Sequence, residues 1–244
     1  MIKLADVRKS YAGKVVLNGI DLAVQSGEVV SILGGSGAGK STIVNCINGL
    51  VSPDSGTVEL DGYSVASRQG LREIRKKCAT VFQNFNLYPH LTNVENITLA
   101  PVRVLGIDPE KALADAHELL VSVGLTGHAD KYPAQLSGGQ KQRIGICRAL
   151  AMSPDYLLLD EITSALDPEM TADVIEVLKV LAARGMTMIL VTHELSVAKS
   201  ISSRIVFLDE GQIQVDVHKD EFFSEVFLNA NPRIQSFVAS AKGL

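Results

Sequence analysis

One run, Gly34-Gly35-Ser36-Gly37-Ala38-Gly39-Lys40-Ser41-Thr42, constrains this chain more than any other stretch. It follows the apolar segment Val29 to Leu33, which reads as a strand, and leads into the apolar-periodic segment Ser41 to Leu50, which reads as a helix. A glycine-dense loop between strand and helix can turn its N–H groups toward one point, where the helix N-terminus adds its dipole. The pattern G-x-x-x-x-G-K-[ST] is therefore a phosphate cradle. Lys40 is expected to neutralise phosphate charge, Ser41 to offer its hydroxyl to Mg²⁺, and the run from Gly34 to Thr42 to line the nucleotide. The alternative is a glycine-rich loop with no ligand. From average composition that pattern arises by chance in on the order of one per cent of chains of this length, and the flanking strand and helix lower this further.

The rest of the chain is read around that unit. Short runs rich in Val, Ile and Leu recur at Ala79 to Phe82, Tyr156 to Leu159, Thr187 to Val191 and Ile205 to Leu208. Runs of this kind are strands buried on both faces of a largely parallel sheet. Glu169 to Ala183 carries Met170, Val174, Val177, Leu178 and Leu181 on one face, with Asp167 as N-cap and Pro168 at the first helical position. That is a crossover helix, and the class is α/β. Ile2 to Arg8 and Val15 to Val24 read as strands of an antiparallel layer preceding the core. Between about 84 and 154 the pattern turns helical, with Pro109 to Val123 and Gly139 to Met152 the clearest helices, so a helical subdomain is expected there. The organisation expected is one domain: core at 1–83 and 155–217, helical subdomain at 84–154 and a helical tail at 218–244. Tail helices are expected at Glu221 to Leu228 and Arg233 to Ala241.

Composition removes several classes of function. With 23 Lys plus Arg against 27 Asp plus Glu, the net charge of −4 offers no footprint for a polyanion, so no nucleic-acid partner is expected. The basic stretch Arg72, Arg75, Lys76 and Lys77 reads as a solvated helix face. Cys46, Cys78 and Cys147 are widely spaced and lack a C-x-x-C pairing, which fits a reducing cytoplasm and implies neither a disulfide framework nor zinc. Met1 to Asp6 has acid and base where a signal peptide needs an apolar core, and no stretch approaches the ~18 apolar residues of a membrane span. Membrane association is expected only through a partner.

A phosphate cradle alone leaves kinases, GTPases, helicases and transporters open. Further segments decide. Leu136-Ser137-Gly138-Gly139-Gln140 is followed by Lys141-Gln142-Arg143, and Tyr156-Leu157-Leu158-Leu159-Asp160-Glu161 is an apolar strand ending in two acids. Thr163-Ser164-Ala165-Leu166-Asp167, Gln83 and His193 complete the set. Over essentially its whole core the chain resembles the nucleotide-binding subunits of ATP-binding-cassette transporters. These segments match that family's signature sequence, Walker B strand, D-loop, Q-loop glutamine and switch histidine.

The resemblance implies a P-loop NTPase core of RecA-like type that hydrolyses Mg-ATP. Asp160, Glu161 and His193 follow predicted parallel strands at the edge where open α/β sheets bind ligands, so they can converge on one γ-phosphate. The resemblance gives Asp160 to Mg²⁺ together with Ser41 and Gln83. It makes Glu161 the group that orients or deprotonates the attacking water, with His193, Gln83 and Lys40 beside it. Tyr11 looks like the aromatic on which adenine stacks; the alternative is a packed strand tyrosine. Ser137, Gly138, Gly139 and Gln140 are expected to meet the ATP held by another subunit, with N–H groups exposed at the start of a helix. The working unit would then be a homodimer, or a pair with another such subunit, beneath an integral membrane permease that a solute-binding protein supplies.

Gln83-Asn84-Phe85-Asn86-Leu87-Tyr88-Pro89-His90-Leu91-Thr92 resembles the branch that powers uptake of polar amino acids in bacteria, placing the subunit on the cytoplasmic face of the inner membrane. Phe85, Leu87, Tyr88 and Leu91 would form a groove for a permease helix, or else pack the helical subdomain. The chain departs from the family at Gly35 and Ile162, where proline is frequent; both changes bear on loop placement and rate. The competing readings are an exporter or lipoprotein-release ATPase and a non-transport member of the family, although the chain lacks the long coiled-coil or zinc insertions usual in the latter. A GTPase is disfavoured because no N-K-x-D motif follows the cradle.

Overall fold

The computed structural model describes residues 1–242, so the last two residues of the expected tail lie outside it. Two sheets form the core. The first is antiparallel, with β1 (Ile2–Tyr11), β2 (Lys14–Val24), β4 (Ser55–Leu60) and β5 (Tyr63–Ser64) in the order β2-β1-β4-β5. The second contains β3 (Val29–Leu33), β6 (Cys78–Phe82), β7 (Tyr156–Asp160), β8 (Thr187–Val191), β9 (Arg204–Asp209) and β10 (Gln212–His218). Its order is β10-β9-β3-β8-β7-β6, parallel throughout except for β10, which pairs antiparallel with β9 at the edge.

Alternation along the strands shows why their sequences are continuously apolar. In β7, Tyr156 and Leu158 join one hydrophobic cluster and Leu157 and Leu159 the other; in β8, Ile189 and Val191 oppose Met188 and Leu190 in the same way. The first cluster is closed by α1 (Lys40–Ile47), whose Ile43, Val44, Cys46 and Ile47 fill the space between the two sheets. The second is closed by α6 (Pro168–Ala183) and α7 (Leu195–Ile201), which bury Val174, Leu178, Val197 and Ile201. Asp167 caps α6 by accepting from the Met170 N–H at 2.8 Å, and Pro168 occupies its first turn.

The helical region contains α3 (Asn93–Ala100), which continues into a π-helical turn at Pro101–Leu105, then α4 (Pro109–Ser122) and α5 (Gly138–Leu150). It has its own cluster around Ile97, Ala116, Leu120, Leu136 and Ile144. Helix α5 belongs to two clusters: Ile144 and Cys147 face the helical one, whereas Ile146 and Ala149 pack beneath the parallel sheet. No boundary at 154 separates it cleanly from the core.

Three expectations need correction. Helix α1 is shorter than Ser41 to Leu50, because Asn48 and then Gly49 at φ 67° turn the chain out and leave Leu50 60% exposed. The antiparallel layer gains β4 and β5, and the core gains β10; none of them has an apolar run long enough to announce itself. The expected helix Glu221 to Leu228 is broken into α8 (Lys219–Phe222) and α9 (Glu225–Ala230), because the Ser224 hydroxyl accepts from the Phe227 N–H and starts a new helix. The basic stretch on α2 (Arg68–Lys77) is the solvated face expected, with Arg72, Arg75 and Lys76 exposed; its partners are at the surface, Lys76 pairing with Glu73, Lys77 with Asp61 and Asp155, and Arg75 donating to the Gly49 carbonyl. All three cysteines are buried, and burial pushes their thiols up to about 11 for Cys46 and about 12 for Cys78 and Cys147.

The tail is a structural cap. Phe222 is fully buried against Phe207 of β9, and Ile234 and Val238 of α10 (Pro232–Lys242) complete the same cluster. Phe222→Ala should therefore destabilise the protein by about 3–5 kcal/mol. Val226→Ala, at a side chain 83% exposed, should change stability by less than ~0.5 kcal/mol. Denaturant unfolding of the two variants checks this, and similar losses from both would contradict a buried anchor at Phe222.

Candidate active site

The loop from Gly34 to Gly39 leaves β3 at the carboxyl edge of the parallel sheet and enters α1 directly. Two of its glycines are required by space. A Cβ on Gly34 would stand 2.1 Å from the Leu208 carbonyl oxygen, and one on Gly39, at φ 107°, would stand 2.8 Å from the Val16 carbonyl oxygen. The loop is thereby pressed against β9 on one side and β2 on the other. Lys40, only 6% exposed, donates to the carbonyls of Gly34 at 3.0 Å and Gly35 at 2.9 Å. Burial lowers the pKa of its ammonium, while the carboxylates of Glu161 and Asp160 oppose that shift.

The acids arrive on β7, the second strand over from β3. Asp160 accepts from the Ser41 hydroxyl at 2.9 Å, and its burial raises its pKa against the effect of that hydrogen bond. Glu161 adopts the left-handed region at φ 50°, where a residue with a Cβ is strained. Three contacts hold it there. Its N–H donates to the Val191 carbonyl at 2.9 Å, its own carbonyl accepts from the Ser164 hydroxyl at 2.8 Å, and the next residue, Ile162, is 2% exposed within the core. Ile162 thus anchors by burial the position where the family frequently has a proline ring.

A cleft of about 600 Å³ gathers Tyr11, Ser36, Gly37, Gly39, Lys40, Ser41, Thr42, Gln83, Asp160 and Glu161 on its walls. Tyr11 is 45% exposed, so it is not the packed strand tyrosine of the alternative reading. Gly34, Gly35 and Ala38 do not line the cleft; Gly34 and Ala38 are buried and Gly35 is partly so. His193 does not line the cleft; it flanks it, with Nδ1 3.8 Å from a Glu161 carboxylate oxygen. Ser137, Gly138, Gly139 and Gln140 lie outside the cleft altogether. They form the first turn of α5 as a capping box: Ser137 accepts from the Gln140 N–H at 3.3 Å, and the Gln140 side chain accepts from the Ser137 N–H at 3.0 Å.

This corrects one expectation. The N–H groups at the start of α5 are mostly engaged within the chain, since Gly139 also donates to the Met170 sulfur at 3.2 Å. Of the aromatic and apolar residues expected to form a groove beside Gln83, Leu87 packs against the helical cluster, while Tyr88, 46% exposed, lines a small concavity with Asn96 and Leu99. Sequence reasoning placed Thr163 in the D-loop but missed its partner Glu194; the two side chains are hydrogen-bonded across the loops that follow β7 and β8. The pairing carries no signal of its own until the sheet brings those loops together.

The profile described as ABC transporter matches residues 17–164, a span that includes the cradle, the first turn of α5 and both acids. The chain belongs to the ABC transporter family. This family member is 47% identical over 234 residues to the glutamine transport ATP-binding protein GlnQ of Bacillus subtilis (strain 168), covering 96% of this chain and 94% of the relative. It is also 47% identical over 226 residues to the glutamate/aspartate import ATP-binding protein GltL of Escherichia coli (strain K12), covering 92% and 94% respectively. Among solved structures, the dimeric ATP-binding cassette MJ0796 in a post-hydrolysis state bound to ADP and Pi superposes with a TM-score of 0.81 at 36% identity. The match covers 90% of this ABC family chain and 99% of that one.

Gly35 offers a test of the cradle. Its φ is not positive, and a Cβ there meets nothing within 4 Å, so Gly35→Ala should stabilise the protein by about 0.4–1 kcal/mol through the unfolded chain. Gly34→Ala, forced onto the Leu208 carbonyl, should destabilise by more than that. Equal effects in urea titrations would contradict the packing described.

Proposed function

We propose that this chain is the ATP-hydrolysing subunit of an importer for a polar amino acid. The observation that carries the proposal is the convergence of Lys40, Ser41, Asp160 and Glu161 on one cleft that the first turn of α5 does not reach. The residues fit a nucleotide. The cradle leaves no room for side chains at Gly34 and Gly39, so main-chain N–H groups and a buried ammonium supply the phosphate contacts. Ser41, Asp160 and Gln83 would hold Mg²⁺. Magnesium is commonly bound by one or two carboxylates plus substrate phosphates, and among the described residues no cluster of three metal-binding side chains offers a protein cage instead. When bound, Mg²⁺ would withdraw charge from the β- and γ-phosphate oxygens.

Tyr11 would stack on adenine, and Lys40 would exchange its carbonyl partners for phosphate oxygens. Glu161, held in its strained conformation, would accept a proton from water as the water oxygen bonds to the γ-phosphorus. The bond from that phosphorus to the bridging oxygen breaks, and ADP leaves with the electron pair. His193 would approach the same phosphoryl group from beside Glu161. Ser137 accepts from its own helix and so keeps its hydroxyl proton for the ATP of a second subunit, with Gly138, Gly139 and Gln140 around it. The 36% identity to a dimeric cassette supports this pairing.

The relatives named for glutamine and glutamate/aspartate transport support a polar amino acid as cargo. The cargo would pass through a separate permease that contacts this subunit near Tyr88 and receives its solute from a binding protein. No helix among the described residues is long and apolar enough to cross a membrane, so attachment to the cytoplasmic face would run through that permease.

Glu161→Gln should preserve ATP binding while lowering turnover by roughly 10²–10⁴, as measured by calorimetry beside steady-state hydrolysis; wild-type turnover would remove Glu161 from the reaction. The composite site has a sharper test in covalently linked dimers. Pairing a Lys40→Ala chain with a Ser137→Arg chain puts both lesions on one site and leaves the other intact, so hydrolysis and nucleotide-driven closure should persist. Placing both substitutions on one chain beside a wild-type chain damages both sites and should abolish both signals. Equal behaviour of the two linked dimers would overturn the sharing of ATP between subunits.

A further inference from the structure

Gln83 stands at the end of β6, and the chain beyond it turns in an unusual way. Phe85 at φ 55° and Asn86 at φ 51° are consecutive residues with side chains in the left-handed region. Asparagine tolerates that conformation and phenylalanine does not, so the turn persists only where its surroundings over-determine it. The side-chain donors to its two carbonyls come from one residue. Arg148, in the last turn of α5, donates from Nη1 to the Asn86 carbonyl at 2.6 Å and from Nη2 to the Phe85 carbonyl at 3.2 Å. The same guanidinium lies over the Tyr88 ring, 5.8 Å from its centroid. Three of the residues following Gln83 are thus held by a single planar cation.

This is a demanding place for an arginine. Burial lowers the pKa of its guanidinium, and the groups it meets are two main-chain carbonyls and an aromatic face rather than a carboxylate. A desolvated cation is retained only where its hydrogen bonds are well formed. Phe85 also links the two ends of α5. Its carbonyl is held by Arg148, and its ring edge lies 3.9 Å from where a Cβ of Gly138 would stand, in the first turn. Gly145, between them, lets the Phe85 carbonyl come within 3.7 Å of its own Cβ position.

We propose that Arg148 is a positioning residue for Gln83: its forked grip on the Phe85–Asn86 turn holds Gln83 at the mouth of the cleft and ties it to the helix that begins at Ser137. This rests on the reading of the cleft as the ATP site with Gln83 as a member. It adds a physical connection between the two composite sites of a dimer, because the start of α5 serves the partner's nucleotide while Gln83 serves the chain's own.

A double-mutant cycle on the full chain tests it, read as steady-state hydrolysis at saturating Mg-ATP. Arg148→Met keeps an unbranched apolar side chain but removes both donors and the cation over Tyr88, and should lower turnover on the order of 10–10²-fold, the usual size for a misplaced active-site group. Arg148→Lys retains charge and one flexible donor group and should fall between Arg148→Met and wild type. Gln83→Ala should lower turnover by itself. Because Arg148 acts through Gln83, adding Arg148→Met to Gln83→Ala should cost less than about 2-fold more. Losses that multiply in the double variant would overturn the proposal, as would wild-type turnover in Arg148→Met beside a damaged Gln83→Ala. Thermal unfolding is followed in parallel; if Arg148→Met does not fold, the same cycle is run with Arg148→Lys, to which the same criterion applies. A silent Gln83→Ala would instead remove Gln83 from the site, and this proposal with it.

Discussion

The structure depends on a close approach that only a residue without a side chain permits. Where β3 ends, Gly34 passes so near the Leu208 carbonyl of β9 that a methyl group would overlap it, and five residues on Gly39 also passes too close to β2 for a side chain. These two contacts fix the cradle against both sheets at once. They place Lys40 at the base of the loop and start α1 there, with Lys40, Ser41 and Thr42 on the wall of the cleft. The parallel order that sets β8 beside β3 and β7 beside β8 then brings Asp160 and Glu161 to the same edge. A cradle free to move would leave a buried ammonium and two acids without a common target.

Strain is concentrated at the turns that carry the chemistry. Glu161, Phe85 and Asn86 all sit at positive φ, and each makes a hydrogen bond to a residue outside its own loop. Strain of this sort costs about 1–3 kcal/mol per residue and survives only under such constraint. The same cleft stores electrostatic tension, since burial disfavours the charged forms of both Lys40 and Asp160. Polyphosphate with its magnesium ion would answer both, which gives nucleotide binding a reason to be coupled to movement of these loops.

Helix α5 is the element through which that movement would pass. It starts on the capping box of Ser137 and Gln140, runs about 20 Å at the usual rise, and ends on the guanidinium that grips the turn after Gln83. Its residues divide between the helical cluster and the face beneath the parallel sheet. A rigid helix shared between two cores transmits a displacement that a flexible linker would absorb.

Much of this was legible in the sequence, because the signals are local. The cradle, the strands on either side of it, the Asp167-Pro168 start of α6 and the two acids after β7 are each written within a few residues, in glycine spacing, apolar runs and caps. The tertiary structure alone decided the rest. Strands β4, β5 and β10 exist because β1, then β4, and β9 offer free edges to pair with, not because their own residues demand it. That the tail folds back on the core, with Phe222 buried against Phe207, was likewise decided there. His193 flanks the cleft rather than lining it, and Arg148 reaches Phe85 and Asn86 from more than sixty positions away in the chain. Backbone strain at Glu161 and Phe85 has no sequence signature at all, since each residue type prefers another conformation and is overruled by distant partners. Local propensity names the elements; long-range hydrogen bonding and packing decide which strained arrangement they hold.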